Sequence, residues 1–336
     1  MSKNKNRIFL PPIKALKEFS EKYPGIWDIL KKVEYAQEEL GWADWCYMPI
    51  GMTQGALIEF YDDSSTAIND SGIVAGFAGW RRYKDIFKFN EELINELGLS
   101  SLDDKLPVEV FDLLPYPYIY IQREDRDGAI IWREDDIDAK RVELRMIALS
   151  ESGEVITQCI VYLNKGDTLK DSLSKVAKTM ESNTKHLKET MEVMEKYTQI
   201  YLPLVLYLCA ENAEIAQPVS VIGKPKETRI KIKNNPKDEK LGEISFYPVG
   251  EQFGIKVRDY KKRFASSYNR SEKAADRSSG ATVSPHVRRG HYHHYWAGSE
   301  KQKNRRLILK WTAPTFIGLK SAERFEADTV TINVLR

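Results

Sequence analysis

The stretch Pro117-Tyr118-Ile119-Tyr120-Ile121, followed by Arg126-Asp127-Gly128 and then Ala129-Ile130-Ile131-Trp132, decides the fold class. Both flanking runs are rich in β-branched and aromatic residues, and a tight turn between two such runs is typical of a β-hairpin. A second pair of runs lies within residues 142–163, on either side of Ser150-Glu151-Ser152-Gly153. The middle of the chain therefore predicts two antiparallel hairpins.

Helical patterns lie on both sides of these hairpins. Pro11-Pro12 begins one helix, Tyr23-Pro24-Gly25 ends it, and a second helix is predicted over residues 26–40 with Gly41 as its stop. A long amphipathic helix is predicted from about Thr168, because apolar residues recur there at helical spacing. They are Leu169, Leu173, Val176, Met180, Leu187, Met191 and Met194. We expect this stripe to pack on a sheet.

The segment Gly72-Ile73-Val74-Ala75-Gly76-Phe77-Ala78-Gly79-Trp80 is small and apolar, and it fits either a buried helix or a strand. Its glycine spacing differs from that of dinucleotide-binding and phosphate-binding loops. Close packing of a helix against its neighbours explains the glycines better.

Residues 218–248 alternate short β-like runs with glycine, proline and asparagine. Residues 228–233 show period-two alternation, and residues 306–311 and 329–335 also predict strands. Residues 265–284 are rich in serine, alanine and charge, which predicts a mobile loop.

The predicted fold class is α+β, with a helical N-terminal part, antiparallel hairpins, one long amphipathic helix and a β-rich C-terminal part. The expected regions are a helical lobe over 1–115, hairpins plus the long helix over 116–210, and a basic β-rich region over 211–336. A single continuous domain is the alternative.

Charge is distributed unevenly along the chain. Residues 256–310 carry 15 Lys and Arg against 4 Asp and Glu, whereas residues 1–150 carry 19 against 27, although the net charge is only +2. Such asymmetry indicates either contact with nucleic acid or contact between oppositely charged parts of the same chain. The sequence gives these two explanations about equal weight.

The sequence predicts a cytoplasmic protein without a membrane partner. The basic start has no apolar segment behind it, and the apolar run 201–210 is short and contains Pro203. The three cysteines, Cys46, Cys159 and Cys209, are scattered and odd in number, which favours a reducing compartment over a disulfide scaffold.

Four of the five histidines lie in Ser284-Pro285-His286-Val287-Arg288-Arg289-Gly290-His291-Tyr292-His293-His294-Tyr295-Trp296. Imidazole and guanidinium groups need partners once they are desolvated, so a core strand does not require this composition. Phosphate, nucleic-acid bases or an acidic peptide are the expected partners. The alternative is an internal hydrogen-bonding cluster, with Tyr292 and Trp296 in the core.

Three kinds of chemistry fit this segment. A metal site would use His291 and His293 with His286 or Glu300, but neighbouring arginines and the absence of a nearby cysteine disfavour it. RNA cleavage would use His291 and His293 as base and acid, with Arg288 or Arg289 on the phosphate. Binding of a partner without bond breakage requires the fewest specifically placed residues. We therefore expect no metal and no cofactor, and whether the chain is an enzyme stays open.

A run of carboxylates around the first hairpin could attract a divalent cation, although a charged, solvated hairpin edge is the favoured explanation. These residues are Asp125, Asp127, Glu134, Asp135, Asp136 and Asp138.

Four stretches resemble a known family. They are Tyr23-Pro24-Gly25-Ile26-Trp27 with the corner Trp42-Ala43-Asp44-Trp45-Cys46-Tyr47-Met48-Pro49, residues 106–110 with 113–120, residues 284–292, and residues 310–318. Together they are similar to the second type V-A anti-CRISPR family and its plasmid and phage relatives. Residues 150–260 contribute nothing to this resemblance.

The resemblance implies a protein of a mobile element that suppresses production of a type V-A RNA-guided effector nuclease. It implies recognition of the N-terminal segment of the effector during translation, with mRNA or the ribosome as a further partner. A His/Arg-dependent ribonuclease or a nucleic-acid-binding regulator of a mobile element is the alternative.

The candidate catalytic residues are His291, His293 and Arg289. The candidate partner-binding residues are Trp42, Asp44, Trp45, Arg288, Arg289, His291, Tyr292, His293, His294 and Trp296. For the corner at residues 42–49, a role of its tryptophans in core packing is favoured over a role in ligand binding.

Overall fold

The computed structural model describes residues 10–61, 64–103, 105–123, 127–181, 187–220, 244–274, 286–299 and 304–317. Its centre is a seven-stranded mixed sheet with the strand order β5-β4-β3-β2-β1-β7-β6. The strands are β1 (Asp85–Phe89), β2 (Tyr118–Arg123), β3 (Gly128–Asp136), β4 (Arg141–Leu149), β5 (Val155–Tyr162), β6 (Val219–Ser220) and β7 (Ser245–Val249).

Helices cover both faces of this sheet. The α-helices are α1 (Pro11–Lys22), α2 (Ile26–Val33), α3 (Gln37–Leu40), α4 (Ile50–Tyr61), α5 (Ser64–Tyr83), α6 (Glu91–Leu99), α7 (Leu169–Glu181), α8 (Leu187–Cys209) and α9 (Glu251–Ala274). Two 3-10 helices, η1 (Glu34–Ala36) and η2 (Val108–Leu113), complete the helical elements described.

The two predicted hairpins are confirmed, since β2 pairs antiparallel with β3 and β4 pairs antiparallel with β5. Strand β1, which was not predicted from the sequence, lies between β2 and β7 and runs parallel to both. The α+β class is therefore correct, and the sheet is mixed because of this one short strand.

Period-two alternation in the central strands divides the core into two layers. Tyr118, Tyr120, Ile130 and Trp132 point to one face, where they pack with residues of α1 and α5. The residues between them pack on the opposite face against α6, α7 and α8; they include Ile119, Ile121, Ala129 and Ile131. Helices α2 and α4 pack on the far side of α5.

The small apolar segment predicted as a helix or a strand lies within α5. An added Cβ would overlap the Tyr118 ring at Gly79 and would lie 2.8 Å from the Trp132 ring at Gly76. The glycines therefore allow the α5 backbone to lie directly on the large rings of β2 and β3, which confirms the interpretation as close helix packing.

Three expectations are corrected. The predicted single long helix is two helices, α7 and α8, which both pack against β5, and residues 182–186 between them lie outside the described ranges. Residues 265–274 belong to helix α9 instead of a loop, because the apolar residues Phe253 and Val257 anchor its first turns in the core. The predicted helix over 26–40 contains the 3-10 turn η1.

The predicted strands at 228–233 and 329–335, and the rest of the expected loop, lie outside the described residues. Strands from all three expected regions are hydrogen-bonded in the one sheet, namely β1, β2 to β5, and β6 with β7.

Helix α8 contains residues 201–209 of the apolar run 201–210, and its apolar side chains are buried in the core. None of the helices within the described ranges has both the length and the apolar character that crossing a membrane requires.

Substitution Gly79→Ala should lower the free energy of unfolding by about 1–3 kcal/mol, because the new methyl group overpacks against Tyr118. The matched control is Gly55→Ala in α4, where a Cβ meets nothing within 4 Å. That change should stabilise by about 0.5–1 kcal/mol through helix propensity. Urea unfolding of both variants measures the difference, and equal effects would contradict the close approach of α5.

Candidate functional site

The His/Arg segment forms part of two small sheets outside the main one. Strand β9 (His291–Ala297) pairs antiparallel with β10 (Arg306–Thr312), and β8 (His286–Arg288) pairs antiparallel with β11 (Thr315–Ile317). We call the β9–β10 pair the basic hairpin. Its strand at 306–311 was predicted from the sequence, and the strand character of 291–297 was not.

One face of the basic hairpin, which we call the inner face, is largely apolar, and Tyr292, Leu307, Leu309 and Trp311 on it are buried. Tyr292 lies opposite Trp311, and Trp296 lies opposite Leu307, so their side chains share this face with Leu309. Tyr292, Leu307, Leu309 and Trp311 belong to the same core cluster as α8. The hairpin is therefore held on the body of the protein by packing, not by its charges.

Hydrogen bonds fix the position of this face. The Tyr292 hydroxyl donates to the carbonyl of Pro203 at 2.6 Å, and the Trp311 indole N–H donates to Ser100 Oγ at 3.0 Å. The Asn212 side chain accepts from the Trp311 backbone N–H and donates to its carbonyl, at 3.0 and 2.8 Å. Asn212 thus takes the place of a further strand at the edge of β10.

The opposite face of the basic hairpin, which we call the outer face, carries polar rings and cations. His291, His293 and Tyr295 of β9 share this face with Arg306 and Lys310 of β10, because His293 lies opposite Lys310 and the side-chain period of a strand is two. His291, His293, Tyr295 and Arg306 are exposed, and Lys310 is half-buried. The hydrogen bond with Tyr295 raises the pKa of Lys310, so the ammonium stays charged.

The arginines that precede β9 are also available. Arg288 and Arg289 are exposed and form no ion pair or side-chain hydrogen bond with any described residue. On the outer face, Glu211 pairs with Arg306 at 3.7 Å and with Lys310 at 3.5 Å. Glu211 follows α8 and lies outside the acidic stretch 1–150, so these pairs do not dock the hairpin on that stretch.

Trp296 extends the exposed surface at the end of β9. The residue is 45% exposed, and the guanidinium of Arg305 lies 4.9 Å from its ring centroid. His294 shares the inner face, opposite Leu309, and is half-buried. Trp296 therefore remains a candidate contact, whereas His294 is only partly accessible.

Two candidate contact residues need correction. Tyr292 is 5% exposed, and burial raises the pKa of its phenol well above the usual range. Trp42 is 3% exposed. Both rings were considered because tyrosine and tryptophan occur in cores and at interfaces alike. Their burial assigns them to the core of the folded protein instead of its contact surface.

The remaining corner residues are more accessible. Asp44 is exposed and accepts a hydrogen bond from Gln37 Nε2 at 3.3 Å, and Trp45 is half-buried with the Arg133 guanidinium 4.3 Å from its ring centroid. In this corner Trp42 is a core residue, whereas Asp44 and Trp45 are accessible to a partner.

Carboxylates of β3 hold this corner against the sheet. Glu134 accepts hydrogen bonds from the Ile50 backbone N–H at 2.6 Å and the Trp132 indole N–H at 2.9 Å, while Asp135 accepts from the Ala43 backbone N–H at 2.8 Å. Burial raises the pKa of Glu134 to about 7. The carboxylate run predicted as a solvated edge is therefore partly a buried anchor, since an acceptor-rich side chain satisfies backbone donors of the corner.

No metal centre is found in the described part of the chain, where His, Cys, Asp and Glu form no group of three suited to an ion. Glu300 and the side chain of His286, the suggested third ligands, lie outside what the structure describes. Burial raises the pKa of Cys159 to about 11 and that of Cys46 and Cys209 further, so these three thiols are not nucleophiles at neutral pH.

A family model described as AcrVA2-like, the anti-CRISPR type V subtype A2 family, matches residues 87–319. The fold is also similar to the crystal structure of AcrVA2, with a TM-score of 0.60 and 17% sequence identity over 92% of this chain and 99% of that chain. No curated protein matches the sequence. At this identity the structural likeness shows a shared fold.

Substitution Tyr292→Phe should lower the free energy of unfolding by about 0.5–1.5 kcal/mol, because the buried Pro203 carbonyl loses the hydroxyl donor. Tyr295→Phe removes the same atom from the exposed outer face and should change stability by less than about 0.5 kcal/mol. Denaturant unfolding compares the two variants. A Tyr292→Phe variant as stable as the parent would contradict the anchored inner face.

The raised pKa of Glu134 predicts a pH dependence of stability. The unfolded carboxyl loses its proton near the ordinary value of 4.5 and the folded one near 7, so the folded state holds more protons between these values. Stability should therefore fall as the pH rises through this window. Glu134→Gln removes the titration, so its urea midpoint should change less than the parent's between pH 5 and pH 7.5. Identical pH profiles would show that Glu134 ionises normally.

Proposed function

This chain belongs to the AcrVA2-like family, the anti-CRISPR type V subtype A2 family, and we propose that it suppresses production of a type V-A effector nuclease. Membership makes its function anti-CRISPR and its target a component of a CRISPR system. The proposed step is recognition of the N-terminal segment of the effector polypeptide while it is translated. The mRNA or the ribosome is the second proposed partner, and the proposed location is the cytoplasm.

The observation that carries this proposal is the exposed outer face of the basic hairpin. The fold uses the inner face for packing and leaves the imidazole groups of His291 and His293 exposed. Arg288 and Arg289 are likewise unpaired within the described ranges. Cations and rings held on a rigid support suit contact with a macromolecule, because little conformational entropy is lost on binding.

The corner offers a second surface, which we assign to the polypeptide. Asp44 supplies an exposed carboxylate, and Trp45 supplies a ring whose orientation is held by Arg133. A carboxylate beside an aromatic ring can pair with an amine and pack on apolar side chains of an extended peptide. The polypeptide and the nucleic acid would thus meet different parts of the protein.

A His/Arg-dependent ribonuclease is the second candidate, and one observation favours it. His291 and His293 share a face, and Lys310 lies opposite His293, so two proton carriers and a cation are close together. Both imidazoles are nevertheless exposed, and water-excluded sites make electrostatic catalysis effective. Incubation of the purified protein with RNA decides this: the binding assignment expects intact RNA, and cleavage lost in His291→Ala would establish the nuclease instead.

The proposed function predicts suppression that follows the peptide encoded at the start of the effector gene. Co-expression with a reporter fused to the effector's N-terminal segment should lower both reporter protein and transcript. A reporter recoded with synonymous codons should still be suppressed, whereas one shifted in reading frame should escape. Unchanged protein and transcript for the in-frame fusion would remove the assignment for that effector.

Variants of the corner refine this experiment. Asp44→Ala and Trp45→Ala should weaken suppression while the protein stays folded, as judged by its thermal midpoint. Tyr35→Ala is the matched control, because Tyr35 is an exposed aromatic residue outside the corner. Equal loss in the control would show that the effect is not specific to the corner.

A further inference from the structure

We infer that the outer face of the basic hairpin, together with Arg288 and Arg289, binds single-stranded RNA, and that Glu211 competes with the RNA phosphates for the same cations. This inference deepens the proposed function, on which it rests for its biological context, by assigning the nucleic-acid partner to one surface. The corner takes no part in it.

The rings of the outer face are spaced along one strand. Successive residues on one face of a strand lie about 6.6–6.8 Å apart, so His291, His293 and Tyr295 present three rings in a row. The His293 and Tyr295 ring centroids are 5.8 Å apart with planes inclined by 36°. Single-stranded nucleic acid is bound by such series of rings, because every base has a flat face that stacks without regard to sequence.

Cations flank these rings on both sides. Arg288 and Arg289 precede β9, while Arg306 and Lys310 lie across from it on β10. The described residues 286–299 and 304–317 contain no aspartate or glutamate. A surface of this composition attracts a polyanion with exposed bases more strongly than a polypeptide, which offers neither a regular series of charges nor base faces.

Two exposed rings lie at the end of β9, Tyr295 on the outer face and Trp296 on the inner face opposite Leu307. Trp296 is 45% exposed beside Arg305, and Tyr295 is 38% exposed beside Lys310, whose ammonium lies 6.0 Å from the ring centroid. Each ring thus has a cation next to it, which places a phosphate-binding group within reach of a stacked base.

Glu211 is placed as an internal substitute for phosphate. Its carboxylate pairs with Arg306 and Lys310, the two cations on either side of Ile308, and Ile308 is only 7% exposed. Exposed ion pairs of this kind are weak, so a phosphate group can displace the carboxylate. Removal of the Glu211 charge should therefore strengthen RNA binding instead of destabilising the hairpin.

The test measures fluorescence anisotropy of a labelled single-stranded RNA of mixed sequence with the full-length protein over a series of salt concentrations. The double variant Arg288→Gln/Arg289→Gln should bind more weakly and lower the salt slope by about 1.4, because each lost phosphate contact on a single strand contributes about 0.7. The matched control Lys31→Gln/Lys32→Gln removes the same charge from the exposed side of α2 and should leave the slope unchanged.

Two further variants separate the rings from the charges. Tyr295→Ala should lower affinity by roughly 5- to 150-fold, the range that corresponds to loss of one base stack, without a change in salt slope. Glu211→Gln should raise affinity by up to about fivefold, and Glu39→Gln, an exposed carboxylate on α3, is its control. Circular dichroism melting confirms that every variant is folded.

Several results would overturn the inference. The parent protein could fail to bind RNA, or the α2 control could weaken binding as much as the arginine variant does. The hairpin could also bind an acidic peptide that RNA does not displace. The assay contains no effector, so its failure leaves the proposed suppression standing. Conversely, RNA binding without suppression of any effector would refute the proposed function and leave this inference intact.

Discussion

The seating of Trp311 and Tyr292 on the body of the protein is the contact on which the candidate site depends. Trp311 packs edge-on against Tyr207 of α8 and Phe253 of α9, with ring centroids 5.4 and 5.2 Å apart. Because side chains alternate along a strand, burying these two residues forces the intervening ones to the opposite side. The placement of His293 and Lys310 on the outer face is thus a consequence of core packing.

The same alternation of side chains organises the main sheet, where it places large rings under helix α5. The rings of Tyr118 and Trp132 are large, and a helix can cover them only if its own side chains are absent at the contact. Gly76 and Gly79 provide that space. One strand pattern therefore requires a glycine pattern about fifty residues earlier in the chain, and this coupling explains why the α5 segment fits a helix with no phosphate-binding role.

Local patterns predicted the elements whose partners are close in sequence. The hairpins β2–β3 and β4–β5 follow from strand runs joined by short turns, and the packing role of α5 follows from its glycines. Strand β1 was missed because it is five residues long and pairs with β7 about 160 residues away. Local periodicity does not indicate a pairing partner so distant in sequence. Parallel strands are also not joined by a short turn that could be recognised in the sequence.

The site was predictable in composition and not in orientation. Histidine, tyrosine and tryptophan are all amphipathic, so the segment 291–296 has no clear hydrophobic period that would separate Tyr292 from Tyr295. The signal lay in the partner strand, where Leu307, Leu309 and Trp311 alternate with Arg306, Ile308 and Lys310, so that both cations fall on one face. The outer face follows once the register between β9 and β10 is known. That register depends on contacts distant in sequence, those of Tyr292 with Pro203 and of Trp311 with Asn212.

The uneven charge has two explanations, contact with nucleic acid and contact between oppositely charged parts of the chain, and the ion pairs distinguish them. Docking of the basic segment on the acidic stretch 1–150 would require ion pairs between them, and the pairs described on the outer face go to Glu211 instead. Lys261 of α9 does pair with Glu92 of α6 at 2.6 Å, so part of the basic segment is used internally. Among the described residues, the pair with the stretch 1–150 thus comes from the helix that packs on α6, whereas Arg306 and Lys310 lie on the side of their strand opposite the apolar side chains that hold it on the core. A polyanion approaching this protein meets Arg306 and Lys310 on a strand packed against the core, with the displaceable carboxylate of Glu211 between them.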